Sequence, residues 1–149
     1  MRVADICTLL TVHMESSASV RDAAKLMRER HVGAVVVVDR RNGTRALDGI
    51  LTDRDIAISV VAAGIDPDTV TVGDVMSRPV ATCTADQDLF EAISTMRAHG
   101  VRRLPMLNAT GELAGIVAAD DIYGALATEL RELSRALVRE QAREMETRA

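Results

Sequence analysis

Apolar and polar positions follow two periods along this chain, one helical and one strand-like, and the periods succeed each other in the same order twice. Val3 to Leu10 is a short apolar stretch that leads into a candidate strand at Thr11 to Met14. Val20, Ala23, Ala24 and Met27 then recur at helical spacing behind Ser19 and Asp22, whose three-residue separation is that of a capping box. The helix is expected to stop near His31 and Gly33. Ala34 to Asp39 (AVVVVD) is an unbroken β-branched run of the kind that packs as a strand buried on both faces. Arg40 to Gly43 (RRNG) reads as a polar turn, Leu47 to Leu51 as a strand, Thr52 to Ala63 as a helix, and Gly64 to Thr69 as a linker.

Shifted by 69 positions, the order returns: Asp74 falls on Asp5, Asp88 with Glu91 repeats Ser19 with Asp22, and Ala92, Met96 and Val101 fall on Ala23, Met27 and Val32. Past the hairpin the offset becomes 66, because Arg40 to Leu47 is longer than Asn108 to Leu113. Insertions are tolerated at such a place. Identity between the copies is low, and the coincidence of caps, periods and element order is what argues for an internal duplication. A half of about 60 residues is marginal by itself, so the two halves must share a core. The expectation is an α+β fold of two β-α-β-β-α units, residues 3–65 and 70–125, around that shared core. Beyond them Leu126, Leu130, Leu133 and Leu137 step by 4, 3 and 4, with Arg and Glu on the other faces. One long amphipathic helix is therefore expected over residues 126–149, ending near Met145. Its seam has two candidate partners, its own domain or a second copy of the chain.

Composition narrows the classes. At 48% apolar residues the chain has ample material for a core, whereas a net charge of −4, a pI near 5.4 and only two aromatics, Phe90 and Tyr123, argue against a nucleic-acid groove. A small anion held by a few local cations stays open. Cys7 and Cys83 lack the spacing of a zinc site and the density of a disulfide scaffold, and read as reduced core thiols of a cytoplasmic protein. No stretch reaches the roughly 20 apolar residues of a membrane span, and no signal-peptide layout is present. His13, His31 and His99 are far apart and lack ligand spacing, so no metal and no resident cofactor are expected. The chain has no Gly-rich phosphate loop, GxSxG elbow or HExxH pair, so it is not expected to be an enzyme.

Chemistry concentrates in GILTDRDI, Gly49 to Ile56, and in a degraded copy, GIVAADDI, Gly115 to Ile122. TDRD at a strand-to-helix junction is in itself a capping box. In the second copy Ala118 replaces the threonine while Asp121 persists, which suggests a carboxylate needed for more than a cap. With VGAVVVVD and VRRLPML as the strands before them, the two copies resemble a tandem pair of cystathionine-β-synthase (CBS) domains, the arrangement called a Bateman module, over roughly residues 3 to 125. In particular the chain is similar to stand-alone bacterial two-CBS proteins.

That resemblance implies clefts between the halves that bind AMP, ADP, ATP or S-adenosylmethionine, in a regulatory role read by a downstream protein that the sequence does not identify. It places Asp55 on the ribose hydroxyls and Thr52 near the phosphates; a carboxylate offers two acceptor oxygens to a vicinal diol. The walls of this first cleft would come from the other half: Val80 and Ala81 on its first strand, Val101 and Pro105 on its second. Arg102 would hold the phosphates, assisted by Arg54 and Arg103. Adjacent residues of one strand point to opposite faces, so only one of these two arginines is expected in a given cleft. The second cleft, with Asp121, Thr11, Val12, Val32 and Gly33, has no cation from the first half and is expected to bind an adenosine moiety weakly. The resemblance also implies that the two units pack sheet to sheet and that the chain forms a flat homodimer. Two functional readings stay open, a sensor of an adenine nucleotide or adenosyl ligand and a dimeric interaction protein with vestigial, empty pockets.

Overall fold

A computed structural model describes residues 1–40 and 43–148. Two three-stranded sheets of one design make up the body of the molecule. In the first, β1 (His13–Met14) runs parallel to β2 (Ala34–Asp39), which is antiparallel to β3 (Ala46–Thr52). In the second, β4 (Cys83–Thr84), β5 (Arg103–Leu107) and β6 (Leu113–Ala118) repeat that arrangement. Helix α1 (Val20–Arg30) follows β1, α2 (Asp53–Ile56) follows β3, α3 (Val72–Val75) leads into the second half, α4 (Leu89–His99) follows β4, and α5 (Ala119–Arg148) follows β6. The duplicated α+β unit and the long C-terminal helix are as the sequence predicts.

Local details differ. The first strand is shorter than Thr11 to Met14. The helix expected to reach Ala63 widens after Ile56 into a π turn over Ala57–Val61, closed by the Ala62 N–H on the Ala57 carbonyl at 2.9 Å. Of the predicted turn Arg40 to Gly43, Arg41 and Asn42 lie outside the described residues. The box at α4 forms in full: Asp88 accepts from the Phe90 N–H at 2.8 Å, and Glu91 accepts from the Asp88 N–H at 3.1 Å. At α1 only half of it forms, Ser19 Oγ accepting from the Asp22 N–H at 3.1 Å. His31 ends α1 at φ 54°, the left-handed place that Gly100 takes after α4.

The halves complete each other. Val3, in a 3-10 turn at the start of the chain, packs with Cys83, Leu89, Ala92, Leu104 and Val117 in the core of the second half. Its equivalent, Val72 of α3, packs with Met76, Ala23, Val35, Val37 and Leu51 in the core of the first. The backbone follows the same exchange. Thr8 and Ile116 trade two hydrogen bonds of 2.8 and 3.0 Å, while Ser77 and Ile50 trade two of 2.9 and 3.2 Å. Each connecting segment therefore adds to the outer edge of a β3 or β6 strand. Between the sheets, Val36 and Val38 of β2 pack with Leu113 and Ile116 of β6, and sheet meets sheet. The longer first hairpin reaches the second, the Leu113 N–H donating to the Arg45 carbonyl at 3.0 Å.

The glycine that opens each octapeptide is what permits the crossing. A Cβ on Gly49 would meet the Met76 side chain and come within 3.1 Å of the Ser77 carbonyl oxygen; one on Gly115 would come within 3.0 Å of the Thr8 carbonyl oxygen. Both thiols lie in the second core. Burial pushes the Cys83 thiol up to about 11 and raises Cys7 as well, so both are protonated at neutral pH.

Helix α5 stays with the body only as far as Ile122 and Leu126. Past that point Leu130, Leu133 and Leu137 are 66%, 60% and 55% exposed, so the seam does not pack on its own domain.

Gly49→Ala and Gly115→Ala are expected to destabilise the protein by about 1–3 kcal/mol each, because the added methyl overpacks a backbone crossing. Gly124→Ala, in open space on α5, should stabilise by about 0.5–1 kcal/mol through helix propensity. Urea denaturation of the three variants checks the opposite signs; a like sign at all three positions would refute the role given to the crossings.

Candidate functional site

Two clefts lie between the halves, each where a β3 or β6 strand turns into the following helix. In the first, Thr52 is the last residue of β3 and the N-cap of α2. Its Oγ accepts from the Asp55 N–H at 3.2 Å, while its own N–H and O–H both donate to Asp55 Oδ2 at 2.8 Å. The capping reading of TDRD is thus realised. It also aims the carboxylate, since Oδ2 is committed to Thr52 and Oδ1 has no protein partner among the described residues.

The first cleft has a volume of about 510 Å³ and is lined by Thr52, Arg54, Asp55, Val80, Ala81, Val101, Arg102 and Arg103. That size suits a small-molecule site. All of these were predicted together. Their elements differ from the expectation: Val80 and Ala81 lie in the loop before β4, and Val101 precedes β5. Pro105 requires a correction. It is fully buried within β5, in register with Ile116, and lines neither cleft, because it sits two residues, about 7 Å, further along the strand than Arg103. The rule that admits one of two neighbouring arginines is also corrected. Strand β5 begins at Arg103, Arg102 stands on the bend before it, and both reach the cleft.

The second cleft, about 340 Å³, is lined by Thr11, Val12, Val32, Gly33 and Asp121 as predicted, together with Leu10, His31, Ile116, Asp120 and Arg103. The last of these supplies a cation from the second half that the sequence did not reveal, while no arginine or lysine of the first half is among the lining residues. Arg103 lines both clefts, and a Cβ on Gly33 would come within 3.4 Å of its Nη2. The side chain reaches across because Gly33 and Ala34 leave the space open. Asp121 Oδ2 accepts from the Ala118 N–H at 2.8 Å, so the carboxylate retains half of the cap whatever the side chain at 118. Its persistence is no argument for ligand binding.

The linings are equivalent position by position. At the offset of 69, Thr8, Leu10, Thr11 and Val12 fall on Ser77, Pro79, Val80 and Ala81, and at 66, Ile116 and Asp121 fall on Ile50 and Asp55. Applying the offset of 66 to Arg54 finds Asp120, which motif reading missed, whereas Asp53, equivalent to Ala119, carries no such signal. Four differences decide the electrostatics, one of them Asp53 opposite Ala119. Gly33 stands opposite Arg102, Ala34 opposite Arg103, and Asp120 opposite Arg54. The first cleft therefore holds Arg54, Arg102 and Arg103 against Asp53 and Asp55, and the second holds Arg103 against Asp120 and Asp121. One has an excess of cations, the other an excess of carboxylates.

The histidines do not converge. His13 bonds the Thr11 carbonyl and Arg40, His99 bonds the Thr95 carbonyl, and no group of three His, Cys, Asp or Glu among the described residues is arranged to hold a metal. Among the described residues, no helix is long and apolar enough to cross a membrane.

The model of the CBS domain family matches this chain twice, over residues 3–62 and 72–128. The CBS domain-containing protein YhcV of Bacillus subtilis is 36% identical over 120 residues, 80% of this chain and 81% of that one. The Methanopyrus kandleri protein MK0525 is 42% identical over 101 residues, 68% of this chain, which spans half of that protein's length. Among solved structures, the CBS domain protein PAE2072 from Pyrobaculum aerophilum, complexed with AMP, superposes with a TM-score of 0.75 at 25% identity and covers 86% of this chain and 99% of that one.

Proposed function

This chain belongs to the CBS domain family, carrying the domain as a tandem pair, and on that premise we propose that it is a non-catalytic, cytoplasmic regulatory module whose first cleft binds a phosphorylated adenine nucleotide. The observation that carries this reading is the joint placement of Asp55, from one half, and Arg102 and Arg103, from the other, around a single cleft. The carboxylate Oδ1 is free for a ribose, the aliphatic Val80, Ala81 and Val101 suit a purine face, and guanidiniums suit phosphate oxygens. The AMP bound by PAE2072 supports the ligand class. AMP, ADP, ATP and NAD(H) share this chemistry, as does S-adenosylmethionine in its adenosyl part. A ligand seated between the halves favours the conformer that it bridges best, in proportion to its extra affinity for that conformer, and a partner protein can read the change.

A second reading, a dimeric interaction protein, is favoured by the exposed seam of α5. We combine the two: Leu130, Leu133 and Leu137, exposed on a helix that projects from the body, are proposed to pair with a second copy.

Thermal unfolding with millimolar AMP, ADP, ATP, NAD(H) and S-adenosylmethionine is expected to show a rise in melting temperature with at least one phosphorylated ligand. Asp55→Ala should abolish that rise, each protein being compared with its own ligand-free baseline because the variant also loses a cap of about 1 kcal/mol. Asp121→Ala should leave the rise nearly intact. Equal losses in both variants would refute the asymmetry, and no rise with any ligand would leave the interaction protein as the reading.

Gly33→Arg places a cation in the second cleft at the position equivalent to Arg102, within reach of the Asp53 carboxylate rather than against backbone. It is expected to raise the ATP stoichiometry from one to two by isothermal titration calorimetry. A stoichiometry that stays at one would show that the missing cation is not what limits this cleft.

Sedimentation equilibrium should give a dimer for the full chain. The Leu133→Glu, Leu137→Glu double variant should be monomeric with its ATP response unchanged. A wild-type monomer, or a variant that remains dimeric, would remove α5 from the interface.

A further inference from the structure

The arginines of the first cleft are tied to the second. Arg102, which lines the first cleft, has its Nη2 3.4 Å from Oδ1 of Asp120, which lines the second, and Arg103 lines both. Asp120 is one of the few charged positions at which the linings differ in sign, since its equivalent is Arg54. The walls of the second cleft are otherwise apolar where a ring would lie, with Val12, Val32 and Ile116, and its lip is Leu10, 92% exposed and open to be covered.

Resting on the reading of the first cleft as a nucleotide site, we propose that Asp120 determines the charge of the ligand taken by the second cleft, and that occupancy of the first cleft strengthens this selection. With the first cleft empty, Arg102 and Arg103 offset the carboxylates of Asp120 and Asp121. A phosphate chain in the first cleft draws both guanidiniums toward itself. Asp120 then loses its partner and the second cleft becomes more negative. By Coulomb's law the second cleft then favours an adenosyl ligand carrying a positive charge and disfavours a second phosphorylated one. Asp121 keeps Oδ1 for the ribose, since only Oδ2 is engaged by the Ala118 N–H. The Arg102–Asp120 pair is exposed, with side chains 74% and 73% accessible, so the linkage is modest. Exposed ion pairs of this type correspond to about a two- to five-fold change in affinity. Linkage is reciprocal, and the cationic ligand tightens the nucleotide by the same factor.

The test is calorimetric, with S-adenosylmethionine as the cationic probe and ATP as the anionic one. S-adenosylmethionine is titrated into wild-type protein saturated with ATP, and separately into Asp55→Asn without ATP, a variant that keeps a capping acceptor but disables the first cleft. Affinity at the second cleft is expected to be about two- to five-fold higher with ATP present. Adding Asp120→Asn to both proteins should bring the two affinities together. Equal affinities in the proteins that retain Asp120, or a difference that survives Asp120→Asn, would overturn the linkage while ATP binding at one site left the nucleotide reading standing. Absence of ATP binding to wild-type protein would overturn both.

Discussion

The exchange of backbone hydrogen bonds between halves is the constraint on which the other features of this protein depend. Thr8 completes an edge of the second sheet and Ser77 an edge of the first, each through a reciprocal pair of bonds. Half a chain of about 60 residues buries too little surface to be stable alone. Here each core is closed by a segment that enters from the opposite end of a repeat, Val3 in one and Val72 in the other. The crossing requires glycine at 49 and 115, because a side chain at either position would collide with the crossing backbone. The same crossing sets the loop from Ser77 to Ala81 beside Thr52 and Asp55, and the segment from Thr8 to Val12 beside Asp121. Stability and site geometry therefore rest on one interaction, and the glycine of each octapeptide serves both.

Once the backbone is duplicated, selectivity reduces to a few side chains. The two clefts are built from equivalent positions, yet Arg102, Arg103 and Arg54 face Gly33, Ala34 and Asp120 in the other copy. The one other difference in formal charge among these lining positions is Asp53, whose equivalent is Ala119. The small residues at 33 and 34 have a further effect, since they vacate the volume into which Arg103 extends. A guanidinium lost from one copy is thereby partly replaced by one borrowed from the other. The clefts are in consequence electrostatic neighbours rather than independent sites, with Arg103 common to both and Arg102 paired with Asp120.

Capping and binding also share atoms. Thr52 holds Asp55 Oδ2 by two short bonds, which fixes the carboxylate before any ligand arrives. A group held in one rotamer loses less entropy on binding than a free one. The cost falls on acceptor capacity, because only Oδ1 is left without a protein partner among the described residues. In the second copy the backbone N–H of Ala118 performs the same restraint with one bond. An aspartate three residues after a strand end is thus retained for local reasons in both copies.

The resemblance to CBS domains supplied most of the residues around the first cleft, and the sequence by itself determined the elements, their order and the duplication. Each of these depends on local chemistry: helical and strand periods in α1, β2 and α4, the box of Asp88 with Glu91, and a shared offset that carries from Thr52 and Asp55 to Ala118 and Asp121. What only the tertiary structure decided is reach. That Val3 closes the core of the second half follows from where the chain crosses, a long-range pairing that no period records. That Arg103 spans both clefts follows from empty space beside Gly33, and that Arg102 escapes the alternation of β5 follows from where the strand begins. Pro105 is excluded for a related reason: two steps along β5 keep it on the same face as Arg103 but carry it about 7 Å away from the cleft, where it is buried. Local rules specify which residue types stand at which positions along the backbone, whereas distances across the cleft are set by packing between segments far apart in the chain.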